Sequence, residues 1–231
     1  MWIKWFFIHL VKINFAKLRK SSPYILDFVV NYLYDSLIMS RPREFDVDKV
    51  LNQSMEVFWA KGYKATSFED LTNKTHVKKQ SLYGVFEDKR SLFLKALALY
   101  RAQNLDSLRE VVDRGGSPTE ILDAVKSASL CSKNEDSRNG CLMVNTALEF
   151  GISDEEVTNE VEKMFSDVQL VLEEVISKGQ ALGEITTRFT SKELGAFLAN
   201  ALRGTRILEK TGVPVEQIET ILNTSFCLIK K

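Results

Sequence analysis

From Phe45 to the C-terminus, apolar residues recur at helical spacing. Val47, Val50, Leu51, Met55, Phe58 and Trp59 fall three and four apart and make one apolar face. Gly62 follows, a residue type that closes helices. Thr66 and Ser67 then offer capping oxygens, and Glu69 and Asp70 sit where a helix dipole favours acids. The pattern predicts short helices over 67–74 and 78–85, with Thr75-His76-Val77 between them, and a longer helix over 89–114. Further helices are expected over 118–132, 140–150, 154–180, 191–211 and 214–229, punctuated by Gly115-Gly116-Ser117-Pro118, Asn139-Gly140, Gly151, Gly183 and Gly212. No alternating strand pattern of useful length and no internal repeat is visible. The fold class is therefore all-α.

Two short helices joined by a tight turn and braced by longer ones make a helix-turn-helix plan. Its second helix must enter a major groove. Leu71, Val77, Leu82 and Phe86 are placed to pack inward, which leaves Lys78, Lys79, Gln80 and Ser81 at the exposed N-terminal end. Between Leu71 and Phe86 there are three lysines and no acid. Lysines supply salt-dependent phosphate affinity, and Gln80 can pair with a base edge.

Residues 41–100 resemble the N-terminal domain of the TetR/AcrR family. The matching text runs Arg41-Pro42-Arg43-Glu44-Phe45-Asp46, Val57-Phe58-Trp59, Gly62-Tyr63, Thr66-Ser67, Asp70-Leu71 and Val77-Lys78. It ends with Ser81-Leu82-Tyr83, Phe86, Asp88-Lys89 and Leu92-Phe93. The resemblance implies a repressor that binds a palindromic double-stranded operator as a homodimer. It implies phosphate contacts for Tyr83 and for Lys89, which opens the fourth helix of the family pattern. Thr66 matches a residue that caps the second helix and reaches a phosphate. Arg41 and Arg43 resemble a basic arm for the minor groove or backbone. A half-buried tyrosine, a surface lysine, simple capping and a solvated tail are the plainer readings of these residues. His76 departs from the pattern, standing where the family has a turn glycine, and a strained turn is expected there.

Composition narrows the picture only a little. With 31 basic and 31 acidic residues the chain carries no net charge, so nucleic-acid affinity must come from a local patch. Three cysteines and two histidines leave little for a disulfide framework or a metal site, and suit a reducing cytoplasm. No cofactor is implied. No phosphate-binding glycine loop or nucleophile elbow is present, so an enzyme is not expected.

Residues 1–38 read differently, being aromatic and basic and then apolar. Three readings stand: an artefact of the assigned start, with Met39 opening the protein; an extra packed helix; or a membrane-surface segment. The domains expected are this extension, a DNA-binding unit over 39–90, and an effector-binding and dimerisation domain over 91–231. The competing function is a membrane-associated helical adaptor that does not bind DNA, although no membrane partner is expected.

In the second domain the helices at 191–211 and 214–229 are the dimer candidates. They carry Leu194, Phe197, Leu198, Ala201, Leu202, Ile218, Ile221, Leu222 and Phe226, and core packing would give the same periodicity. Small residues Gly195, Ala199, Ala201 and Gly204 would allow close helix approach. Met143, Phe150, Met164, Phe165, Leu170 and Phe189 would line a pocket or fill a core. Arg138-Asn139-Gly140-Cys141-Leu142 resembles a Gly-Cys-Leu segment of one TetR subgroup, which includes repressors that sense electrophiles through a cysteine. At a helix start, Cys141 would have its thiolate stabilised by backbone N–H groups, with Arg138 nearby; a small buried cysteine is the alternative. Cys131 and Cys227 are expected to be packing residues.

Overall fold

The computed structural model describes residues 45–130 and 139–231. Expectations for the N-terminal extension, Met39, Arg41, Arg43, Cys131 and Arg138 fall outside the described residues. Among those described, nine helices are found: α1 (Val47–Lys61), α2 (Phe68–Thr75), α3 (Lys79–Phe86), α4 (Lys89–Asp113), α5 (Pro118–Leu130), α6 (Leu142–Phe150), α7 (Glu155–Ala181), α8 (Ser191–Lys210) and α9 (Val215–Cys227). Each lies within a residue or two of the span its apolar periodicity predicts. Val47–Lys231 folds as one compact unit.

The first three helices and the start of α4 enclose a small core. Phe58, Leu71, Leu82, Phe86, Leu92 and Phe93 are all buried there, and the Phe58 and Phe93 rings meet edge to face at 5.0 Å. The four residues predicted to pack behind the helix-turn-helix, Leu71, Val77, Leu82 and Phe86, are buried.

The larger core lies among α5, α7, α8 and α9, around Leu122, Leu172, Ile176, Leu198, Leu222 and Phe226. Gly195 lets α8 approach α7 closely: a Cβ there would lie 3.3 Å from the carbonyl oxygen of Gln169. Leu194, Leu198, Ile218, Leu222 and Phe226, which periodicity left open between core and dimer face, are buried within the chain itself. The C-terminus is tied down by Thr186 N–H donating to Ile229 O at 2.9 Å and Lys231 N–H donating to Glu184 O at 3.1 Å.

Candidate nucleic-acid interface and ligand cavity

The turn between α2 and α3 is built by local chemistry. Ser67 is the N-cap of α2: its hydroxyl accepts from Asp70 N–H at 3.1 Å, and the Asp70 carboxylate accepts from Ser67 N–H at 2.8 Å. Asp70 also pairs with Lys61 on α1. The Lys61 ammonium first, and then the Ser67 groups, lower the Asp70 carboxyl to about 2. Thr66 does not hold the cap. It is buried, and its hydroxyl donates back to Gly62 O at 2.6 Å, because the chain turns one residue later than the resemblance implied.

At the other end of α2, His76 takes the left-handed conformation at φ 57°, and its N–H donates to Thr72 O at 2.9 Å. The turn thus keeps the backbone that a glycine serves, now with an imidazole on it. Past α3, Glu87 is a second positive-φ residue, with φ 66° and ψ −66°. There Asp88 N–H donates to Phe86 O at 2.7 Å, closing a γ-turn. Both non-glycine positive-φ residues of the described chain therefore flank α3.

Helix α3 begins without a side-chain cap at Lys78. Its first-turn amides and the positive end of its dipole lie beside exposed Lys78, Lys79 and Gln80, an arrangement that favours anions. Ser81 and Tyr83 are half-buried. The Tyr83 ring leans on Phe68 with centroids 4.8 Å apart, and the Lys79 ammonium lies 4.7 Å over Phe68 and 5.5 Å over Tyr83. Lys74 differs from its neighbours: it pairs with Glu56 at 2.7 Å, so its charge is answered within the chain. Lys89 lies 4.4 Å over the Tyr63 ring, and burial lowers its pKa despite nearby Glu149 and Asp70. The start of α4 already has an anion: Asp88 caps it by accepting from Ser91 N–H at 2.7 Å.

Behind this unit, a cavity of about 510 Å³ opens among α1, α4, α5, α7 and α8. Trp59, Tyr100, Cys141, Phe165 and Arg203 are among its walls. Cys141 is 8% exposed and is the N-cap residue of α6, but its thiol makes no capping hydrogen bond. Tyr100 packs against it. Burial, and after it the neighbouring Cys141 sulfur, push the Tyr100 phenol well above its ordinary value.

Of the residues expected from sequence to line a pocket or fill a core, Met164 and Phe165 line the cavity. Met143 is fully buried, Phe150 packs on Tyr63, and Leu170 and Phe189 are exposed. Cys227 is also exposed, not packed, because it ends α9 on the outer side. Arg203 and Trp59 were not anticipated as cavity residues; the one available signal was a basic residue interrupting the apolar text of α8.

On the outside of α8 and α9, Phe197, Ile207 and Ile221 are 45%, 44% and 36% exposed. Gly204 lies between the first two with nothing within 4 Å of where a Cβ would stand. Among the described residues, no group of three metal-ligating side chains is found, and no helix is long and apolar enough to cross a membrane.

Comparison with known proteins gives consistent matches. Residues 50–96 match the family described as bacterial regulatory proteins, tetR family, and residues 118–211 match the tetracyclin repressor-like C-terminal domain. The chain is 27% identical over 190 residues to the HTH-type transcriptional repressor ComR of Escherichia coli (strain K12), covering 81% of this chain and 90% of ComR. It is 24% identical to the uncharacterized HTH-type transcriptional regulator YezE of Bacillus subtilis (strain 168), covering 83% and 100% of the two chains. A cysteine-substituted CifR, a TetR family transcriptional regulator complexed with 26-base-pair double-strand operator DNA, superposes with a TM-score of 0.73 at 29% identity. That match covers 82% of this chain and 100% of CifR.

Proposed function

The chain belongs to the TetR family of bacterial regulatory proteins, and on that footing we propose a transcriptional repressor that grips a palindromic operator as a homodimer and is released by a small effector. Its task is regulation, not catalysis. The observation that carries this reading is α3: an uncapped helix start with exposed Lys78, Lys79 and Gln80 around it. Such a helix reads base edges near its N-terminus while lysines and Tyr83 hold phosphates. CifR, which shares this fold, is complexed with operator DNA. Nothing in the matched families supports the membrane-adaptor reading, and the cytoplasm, where the operator lies, is the expected compartment.

The outward apolar stripe through Phe197, Gly204 and Ile207 on α8, with Ile221 on α9, is the surface offered to a second copy. Two-fold pairing through it would match a two-fold operator. A gel shift on the chain's own promoter tests the function. Retarded complexes that dissolve with rising salt are expected, and no complex at low salt would overturn the reading.

Cys141 is the candidate for electrophile sensing. It stands at a helix N-terminus, faces the cavity, and contacts the Tyr100 phenol. Alkylation there forms a thioether: the sulfur displaces a leaving group, such as iodide from iodoacetamide, and the thiol proton passes to solvent. Iodoacetamide treatment followed by peptide mapping should find Cys141 modified, with loss of operator binding that the Cys141→Ser variant escapes. An unmodified Cys141 in the folded protein ends the idea.

A further inference from the structure

We propose that the cavity takes an amphipathic anion, an apolar molecule bearing one carboxylate, and that Arg203 receives the carboxylate. This rests on the cavity being the effector site. The polar groups around the cavity point to it. The Trp59 indole N–H is spent on Gly140 O at 3.1 Å, and the Asn104 amide on Tyr100 O at 2.8 Å. Ser107 and Ser129 donate to carbonyls of their own helices, at 2.8 and 2.9 Å. Arg206 lines the same wall, but Glu209 holds it with both carboxylate oxygens, at 3.0 and 2.9 Å. Glu209 is also the one carboxylate among the lining residues, so no acid of the cavity is left for Arg203.

Arg203 thus brings a half-buried charge with no ion pair or hydrogen bond to any described residue. Its contact is with the Phe165 ring, 4.7 Å from the guanidinium carbon. Burial lowers its pKa with no carboxylate to offset it. A charge left this way among apolar walls is costly to a folded chain, and a bound anion relieves that cost. The guanidinium fork matches a carboxylate better than a point charge does. Val125, Val168 and Leu202 provide the apolar walls for the rest of the molecule. The volume, about 510 Å³, suits a small organic acid.

The test is calorimetric titration of the full chain, without DNA, using octanoate, 1-octanol and octylamine as probes. Octanoate should bind at least about tenfold more tightly than octanol, with octylamine weakest. Arg203→Met should erase the preference, and Arg203→Lys should restore part of it. Circular dichroism should show both variants folded, since neither loses more than the contact with the Phe165 ring and no ion pair or hydrogen bond to a described residue is broken. Equal affinity for octanoate and octanol overturns the anion assignment alone. So does an undiminished octanoate preference in Arg203→Met. No binding of any probe, with operator binding intact, overturns the cavity as a ligand site while leaving the DNA-binding reading standing.

Discussion

The indole N–H of Trp59 donates to the carbonyl oxygen of Gly140 at 3.1 Å, joining residues 81 positions apart. Trp59 lies on α1, which packs against α2 of the helix-turn-helix. Gly140 directly precedes Cys141 and sits at φ 67°, where a Cβ would come within 3.0 Å of Arg206 O. At the far end of α6, the Glu149 carboxylate accepts the backbone N–H groups of Tyr63 and Lys64, in the segment that leads into α2. One short helix therefore touches the cavity at its start and the DNA-reading unit at its end.

Trp59→Phe removes that donor and leaves the Gly140 carbonyl without it. Stability should fall by about 1 kcal/mol, read as a lower urea midpoint at unchanged slope. A midpoint equal to wild type would show that the bond contributes nothing net.

Glu149→Gln replaces an acceptor pair by one acceptor and one donor facing two backbone N–H groups. A loss of about 1–2 kcal/mol is expected, together with faster hydrogen exchange at Tyr63 and Lys64. Unchanged exchange at those two amides counts against the carboxylate as the clamp.

His76→Gly should stabilise the protein. A left-handed conformation costs a residue with a Cβ about 1–2 kcal/mol, and glycine's looser unfolded state returns part of that, leaving a gain of about 0.5–1 kcal/mol. The readout is the thermal midpoint; a lower midpoint would mean that the exposed imidazole makes a contact that matters.

Lys79→Ala combined with Tyr83→Phe should weaken operator binding and flatten its salt dependence. If Lys79 neutralises one phosphate per protomer, the log–log slope should shrink by about 2 for a dimer. Affinity and slope both at wild-type values would remove these residues from the interface.

Acid should loosen the start of α2. The Asp70 carboxyl is lowered from 3.8 to about 2 in the folded chain. Its contribution is therefore complete above the unfolded value near 3.8 and is lost as pH falls toward 2. Asp70→Asn should be less stable than wild type at neutral pH and lose less between pH 4 and 2 in a denaturation series. Parallel curves for the two proteins in that window would contradict the assignment.

The helical spans were legible because each apolar face is written at three-and-four spacing and ends such as those at Ser67 and Gly62 are local chemistry. The inward set Leu71, Val77, Leu82 and Phe86 followed from that periodicity alone, as did the exposed stretch Lys78 to Gln80. Thr66 was misplaced by one residue because both it and Ser67 can cap; which hydroxyl does so depends on where the chain turns after Gly62, a choice made by packing.

Other distinctions lie beyond any local pattern. Leu198 and Phe197 are adjacent apolar residues on one helix, yet the first is buried and the second is 45% exposed, because α7 and α9 cover only one side of α8. Lys74 and Lys79 look equivalent in the sequence; one is answered by Glu56 and the other lies over Phe68 and Tyr83. Arg203 and Arg206, three residues apart, part company the same way, since Glu209 reaches only one of them. Periodicity and capping act within a few residues, so the sequence by itself determined the helices and the exposed stretch Lys78 to Gln80. Which charges are paired, which apolar faces are covered, and what surrounds Cys141 depend on residues distant in the chain, and those only the tertiary structure decided.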